Sequence, residues 1–474
     1  SSSPLRRGAR CSKDDPNFVQ TFFHHSRLHF IGSFRAHLRR LVRSIRPIIP
    51  PPIQNHRRCI VHIDMDCFFV SCSLRGRPDL VGQPVAIAWG GKGSDSNGEI
   101  SSCSYEARKF GVKAGMWLQE ARKLCPSIQV IPYEFEKYQE VSEQVYRLLF
   151  QMTNYVEVSS CDEAYIDISN VTDDLTTPDQ AEQMIENLRA NIERITNGCT
   201  ASAGIACNKM LAKMATSHSK QTYGPNSQFS LLSTRTTTNN GSGNNGSGNN
   251  SSANNSSANE KRMTPHAFMS TRKLRDIPGI GWKHGKKLQL FELETVKQLL
   301  ELNSSEFTRL SNELGESTAK RFKNMCLGID STELRMSMEQ KNMSVQITWG
   351  VRFDTEEQVI KFLIELCGVL SDRLSLNSYV GTRITLKVKR RKPDAVESHK
   401  HLGHGSCDDF SSSSGFNTPT CDARQISTAV LKMWRQNPCH MDPTQLRGVG
   451  LDMTGLMDNI LRGQQQSSLS NYFP

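Results

Sequence analysis

Two periodicities alternate along the chain. Phe34, Leu38, Leu41 and Ile45 recur at helical spacing and predict a short basic amphipathic helix over 34–45, with arginines on its other faces. "RPIIPPPI" (46–53) ends that helix, because proline cannot continue it, and reads as a linker. From 59 to 220, apolar strands ("CIVHIDMDCFFV", "QPVAIAW", "TASAGIA") alternate with helical stretches such as "PDQAEQMIENLRANIERI" (178–195). Such alternation predicts an α+β or α/β domain. Residues 264–335 read as a small helical domain. A last unit, 340–455, pairs the amphipathic helix "EEQVIKFLIELCGVLSDRLSL" with the strand "RITLKVKRR". Residues 233–259 have one charge, no aromatic ring and nothing to bury, so a disordered surface insertion is expected there. "SSSSGFNTP" is expected to interrupt the last unit as a second low-complexity stretch.

Charge sharpens this picture. The 474 residues, enough for two or more domains, carry a net +11. Twelve Lys/Arg face only Asp14 and Asp15 within residues 1–58. A basic balance fits nucleic acid or an anionic membrane, and a solvated tail is the plain alternative. No apolar run has transmembrane length and no signal-peptide pattern opens the chain. The 14 cysteines form no C-x-x-C pair, which speaks against a zinc finger or disulfide scaffold and for a reducing compartment. The chain is read as intracellular and soluble.

Chemistry concentrates in a few places. In "HIDMDCFF", read as a strand, His62, Asp64, Asp66 and Phe68 share one face. Alone, this is better explained by two aspartates at an exposed strand end. "VEVSSCDEAYIDI" changes the balance: it reads as two strands about a tight turn that carries Asp162 and Glu163. Three carboxylates suit hard divalent cations, and two such ions can clamp the attacking and leaving oxygens of a phosphoryl transfer. Tyr105 and Arg108 lie one helical turn apart in "SYEARKFG", and Lys209, Lys213 and Lys220 follow in "NKMLAKMATSHSK". These cations suit a triphosphate, or form an ordinary basic helix face. "IPGIG", with Gly279 and Gly281 before a helix, is a helix-hairpin-helix signature that contacts DNA backbone without reading sequence. In "RITLKVK", Ile384, Leu386 and Val388 point inward while Arg383, Thr385, Lys387 and Lys389 form a basic outer face.

"HIDMDCFFVSC", "SYEARKFGVKAGMW", "SSCDEAYIDI", "GIACNKMLAKMATSHSK" and "IPGIG" resemble, in order and spacing, the motifs of Y-family translesion DNA polymerases over about residues 59–455. The resemblance implies a multidomain α+β right-hand fold: palm and fingers (59–230), the disordered insertion (231–262), a helix-hairpin-helix thumb (263–336) and a little finger (337–456). It implies Asp64, Asp162, Glu163 and the Met65 carbonyl as ligands of two Mg²⁺, with Mn²⁺ as the alternative ion. Tyr105, Arg108 and Lys220 would bind the triphosphate, and Phe69 would be the steric gate against a 2′-hydroxyl. The N-terminal extension (1–58), with Ser26-Arg27-Leu28-His29, is similar to the arm of the deoxycytidyl transferase branch. Arg27 would then pair with incoming dCTP and Leu28 would replace an evicted template guanine. A planar guanidinium matches the adjacent O2 and N3 acceptors of cytosine. "QLRGVGLDMTGL" (445–456) also resembles the end of that branch's little finger.

The tail, 457–474, contains "QSSLSNYF", whose Gln466, Leu469, Tyr472 and Phe473 have the spacing of a sliding-clamp-binding box. The expectation is therefore a nuclear dCMP transferase acting on primer–template DNA opposite G, abasic sites and guanine adducts. No membrane role is expected, and other translesion factors would bind through regions outside this chain. A general Y-family polymerase with template-directed choice is the first rival. A non-catalytic DNA-binding repair scaffold is the second.

Overall fold

The computed structural model describes residues 11–24, 26–51, 53, 58–89, 98–171, 178–232, 263–395, 402–436 and 438–459. The expected disordered insertion (233–259) and the residues of the clamp-box motif lie outside these. The chain divides into two compact units, residues 38–338 and residues 1–37 with 339–474.

Two helices open the chain, α1 (Phe18–His24) and α2 (Arg27–Ile45). The second begins earlier than the apolar spacing indicates, and α1 was not expected. The helix also buries cations that a solvated basic face would expose. Arg39 is buried and donates to Met338 O. Arg46, the residue just after the helix, is also buried and donates to the carbonyls of Asn154, Val156 and Met336. Main-chain oxygens replace the water these guanidiniums lose.

In the 38–338 unit, β1 (Ile60–Met65) is the centre of a five-stranded sheet. Then come α3 (Phe68–Leu74), β2 (Val85–Ala88), β3 (Ile100–Cys103), α4 (Tyr105–Lys109), α5 (Leu118–Leu124) and β4 (Gln129–Ile131). Strands β2, β3 and β4 form their own small sheet. Next are α6 (Phe135–Met152), β5 (Val156–Val158), β6 (Glu163–Asp167), α7 (Pro178–Ile195), β7 (Ala201–Ala206), α8 (Lys209–Thr222) and β8 (Gln228–Ser230). The central sheet runs β5-β6-β1-β7-β8, with β1 antiparallel to both neighbours. Every residue of β7 is buried, and small side chains let α8 lie close over it. At Gly204 a Cβ would sit 2.1 Å from Ala212 O and 2.4 Å from Thr216 N, so only glycine fits.

The expectation for "HIDMDCFF" needs correction. The strand stops at Met65, Cys67 takes a left-handed conformation (φ 44°), and Phe68 begins α3. Phe68 therefore shares no strand face with Asp64. The 264–335 region is helical as expected, with α9 (Pro265–Ser270), α10 (Trp282–Gln289), α11 (Val296–Leu300), α12 (Ser304–Leu314) and α13 (Glu316–Cys326). Its core is continuous with α8 through Met210, Leu211, Phe268, Leu288 and Phe322.

The other unit contains β9 (Asn342–Ile347), α14 (Glu356–Leu376), β10 (Tyr379–Arg391), β11 (Cys407–Thr420), α15 (Ala423–Trp434) and β12 (Leu446–Thr454). The sheet order is β11-β10-β12-β9. Phe18, Val19 and Phe23 of α1 join the core formed by α14, α15 and this sheet, and the Phe18 ring stacks on Phe362 at 6.4 Å. Here "SSSSGFNTP" is not an interruption. It lies within β11, where Ser411 to Gly415 pair residue by residue with Lys387 to Arg383 of β10 and a register shift follows before Thr420. The ladder is made by the backbone, and an edge strand tolerates serines and the late Pro419 that its composition makes look unstructured.

Candidate active site

Backbone pairing gathers the three predicted carboxylates at one end of the central sheet. Asp64 lies directly opposite Glu163 in the ladder, and Met65 N donates to Asp162 O at 2.9 Å. The turn before β6 is held from behind: Tyr146 Oη lies 2.6 Å from Ser160 O and 2.9 Å from Glu163 O. Buried like charges are expensive without a cation nearby. Burial, then the charges of Asp64 and Glu163, push the Asp162 carboxyl above its ordinary range, although Ser160 Oγ donates to it. Burial acts on Glu163 the same way, but His62 and Lys213 outweigh it and hold its carboxyl down at about 2.

Side-chain cations sit on these oxygens. Lys220 Nζ lies 3.2 Å from Asp64 Oδ1 and 3.1 Å from Asp66 Oδ1, and it donates to Met65 O at 3.3 Å. Lys213 Nζ donates to Glu163 Oε1. His62, nearly fully buried, places Nε2 2.9 Å from the same oxygen and Nδ1 2.8 Å from Thr216 Oγ1. Among the described residues no three His, Cys, Asp or Glu side chains converge as a ready-made metal cage. The donor set nevertheless fits hard cations. It consists of oxygens alone, and an ammonium already rests against Asp64 and the Met65 carbonyl, two of the expected ligands.

The remaining predicted residues are distributed as follows. The guanidinium of Arg108 lies over the Tyr105 ring at 4.8 Å, both on α4. Phe69 is buried on α3 with its ring 4.6 Å from that of Tyr138 on α6. Arg27 and Leu28 are the first two residues of α2. Gly279 has φ 97°, a conformation that favours glycine, and Gly281 caps α10. The hairpin borders a groove of about 670 Å³ shared with Lys213 and Ser217 of α8. On β10, Ile384, Leu386 and Val388 are buried as expected, and Arg383 is exposed. Lys387 and Lys389, however, pair with Asp452 (3.1 Å) and Asp409 (2.6 Å), which tempers the basic face. Lys209 does not join the cations around the carboxylates. It forms a buried pair with Glu157 at 2.6 Å and lies over the Tyr165 ring.

Sequence reasoning missed the parts played by His62, Lys213 and Asp66. His62 alternates in phase with Asp64, a signal that β1 carries one polar face. Nothing in the sequence indicates which carboxylate would contact which lysine.

Comparisons with known proteins identify the family. The impB/mucB/samB family profile matches residues 63–217, and that family's C-terminal domain matches 340–469. A DNA polymerase-iota thumb-domain profile matches 275–330. A DNA polymerase IV of Staphylococcus epidermidis is 31% identical over 73% of this chain and 85% of its own length. The chain belongs to the Y-family DNA polymerases. Members of this family use divalent metal ions. The DNA repair protein REV1 of Arabidopsis thaliana is 31% identical over 94% of the chain, and the Rev1 of Drosophila melanogaster 29% over 94%. The chain spans 37% and 47% of the lengths of those two relatives. A solved Y-family DNA polymerase chimera superposes with a TM-score of 0.62 at 20% identity, covering 85% of this chain and all of the chimera. That likeness bears out the right-hand α+β fold. No helix among the described residues of this polymerase is long and apolar enough to cross a membrane.

Proposed function

We propose that the chain carries out translesion synthesis as a dCMP transferase. It would add dCMP from dCTP to a primer end opposite template G, abasic sites or guanine adducts. The observation that carries this reading is the extent of the similarity. A match to the REV1 proteins over 94% of 474 residues cannot omit the whole of the basic extension 1–58, whereas the polymerase IV match stops at 73%. The extension contains Ser26-Arg27-Leu28-His29.

In this reading Asp64, Asp162, Glu163 and the Met65 carbonyl hold two divalent ions, Mg²⁺ or Mn²⁺. Such ions activate a primer 3′-hydroxyl and neutralise the leaving pyrophosphate. Tyr105, Arg108 and Lys220 bind the triphosphate, and the ring of Phe69 excludes a 2′-hydroxyl. Arg27 presents parallel N–H donors to cytosine. Thymine, protonated at N3, would oppose donor to donor, a costly buried mismatch. Leu28 fills the space of the displaced template base. Gly279, Gly281, Arg383, Lys387 and Lys389 follow the DNA backbone. Gln466, Leu469, Tyr472 and Phe473 engage a sliding clamp, and the protein works in the nucleus with other translesion factors.

Single-nucleotide insertion opposite G, A, T, C and an abasic site, with each dNTP supplied separately, tests the reading. Wild type should add mainly dCMP opposite every template, and Arg27→Ala should lose that preference by about tenfold or more. Template-directed choice by wild type would sink it. Asp162→Ala with Glu163→Ala should abolish insertion and keep DNA binding. Retained insertion would remove the assigned catalytic centre.

A further inference from the structure

Asp66 is the one acidic residue of "HIDMD" that the proposed chemistry does not use. It is only 2% exposed, and its carboxylate meets more donors than any other near the site. Oδ2 accepts from Thr200 Oγ1 at 2.9 Å and from Asn226 N at 2.8 Å. Oδ1 accepts from Ser202 Oγ at 2.8 Å, from the Lys220 ammonium at 3.1 Å and from Tyr105 Oη at 3.4 Å. These donors come from both sides. Ser202 lies on β7, Thr200 just before it and Asn226 just before β8. Lys220 and Tyr105 belong to α8 and α4, and both face the assigned triphosphate site.

We propose that Asp66 is a positioning residue that fastens Lys220 and Tyr105 to the central sheet and so presets two of the triphosphate-binding side chains. The inference rests on the triphosphate role given above to those two residues. Lys220 touches two carboxylates, Asp64 and Asp66. Asp64 is assigned to divalent ions, so its hold on Lys220 is contested by other cations. Asp66 has no such competitor, because its other acceptor sites are filled by hydroxyls and a backbone N–H. A buried carboxylate that keeps one face on fixed donors can hold a flexible lysine with little further loss of freedom. Without it, Lys220 would have to find its place against the triphosphate by itself, which lowers affinity.

Equilibrium dCTP binding tests this, measured on the protein with primer–template DNA and Ca²⁺, which does not support turnover. Asp66→Asn keeps the shape but removes the charge that holds the ammonium and turns one of the two acceptor oxygens into an NH2 donor. It should weaken dCTP binding about tenfold while changing DNA affinity less than about twofold. Binding of dCMP, which lacks the outer phosphates, should hardly change. In a Lys220→Ala background the same substitution should add less than about twofold, since the Asp66–Lys220 contact is already gone and only the longer Tyr105 contact at 3.4 Å is left to lose. Ser202→Ala, milder toward folding, should weaken dCTP binding about two- to threefold with the melting temperature retained. Unchanged dCTP affinity in Asp66→Asn overturns the proposal. So do equal losses for dCTP and dCMP, and fully multiplicative effects with Lys220→Ala. If Lys220→Ala itself leaves dCTP affinity unchanged, the triphosphate reading fails and the Asp66 inference fails with it.

Discussion

Glu134 shows how one carboxylate fastens two helices. It stands just before α6, which carries Tyr138, and pairs with Lys137 in that helix's first turn at 2.9 Å and with Arg77 just beyond α3, which carries Phe69. Burial opposes its ionisation, but Arg77 and Lys137 win and hold its carboxyl at about 2. The folded value thus lies below the unfolded one, so the pair stabilises the fold fully above the ordinary carboxylate value. That contribution disappears as pH falls from there toward 2. The pair is part-exposed, so its worth is on the order of 1 kcal/mol. Thermal melts of wild type and Glu134→Gln should differ near pH 6, and the gap should shrink steadily as pH falls toward 2. A gap that stays constant with pH would rule the idea out. At this scale the sequence was partly readable. Asp64, Asp162 and Glu163 stand out because carboxylates are rare on apolar strands. Partners such as Arg77 and Glu134 do not, because ion pairs between distant segments depend on tertiary geometry alone.

Elements with a clean period could be read directly from the residues. Helices α7 and α14 fall where apolar spacing puts them, since a single stripe facing a core leaves little choice of register. Composition misled where the backbone, not the side chains, does the work. Strand β11 reads as low complexity, yet each residue from Arg383 to Arg391 of β10 finds a partner on it. Strand β7 carries the reverse lesson: its run of small residues is set by the closeness of α8. Gly204→Ala should destabilise the 38–338 unit by about 3 kcal/mol, because the added methyl meets backbone atoms that cannot turn away. Chemical denaturation measures this. A loss below about 0.5 kcal/mol would mean that α8 can slide, and the positions of Lys213 and Lys220 would then be less fixed than described.

For the whole molecule, charge is the property that composition conveys and structure corrects. A net +11 promises strong, salt-sensitive attraction to DNA. Yet Lys387 and Lys389, expected to lie free along β10, each face an aspartate. Replacing both Asp409 and Asp452 by Asn should therefore tighten DNA binding at low salt. It should also steepen the dependence of log K on log salt by about one to two. Binding isotherms from 50 to 200 mM salt, a range suited to such slopes, would show it. An unchanged slope would mean that this face does not meet the phosphates.

The contacts of Lys220 and Lys213 have one more consequence. Many metal sites are held together by their ions and collapse under chelation. Here the carboxylates bring their own counter-charges, two ammonium groups on a helix packed against the sheet. Catalytic competence and architectural integrity are thus decoupled. EDTA should stop nucleotide insertion while shifting the melting temperature by no more than ~2 °C. Stripped protein should regain activity on adding Mg²⁺ without a refolding lag.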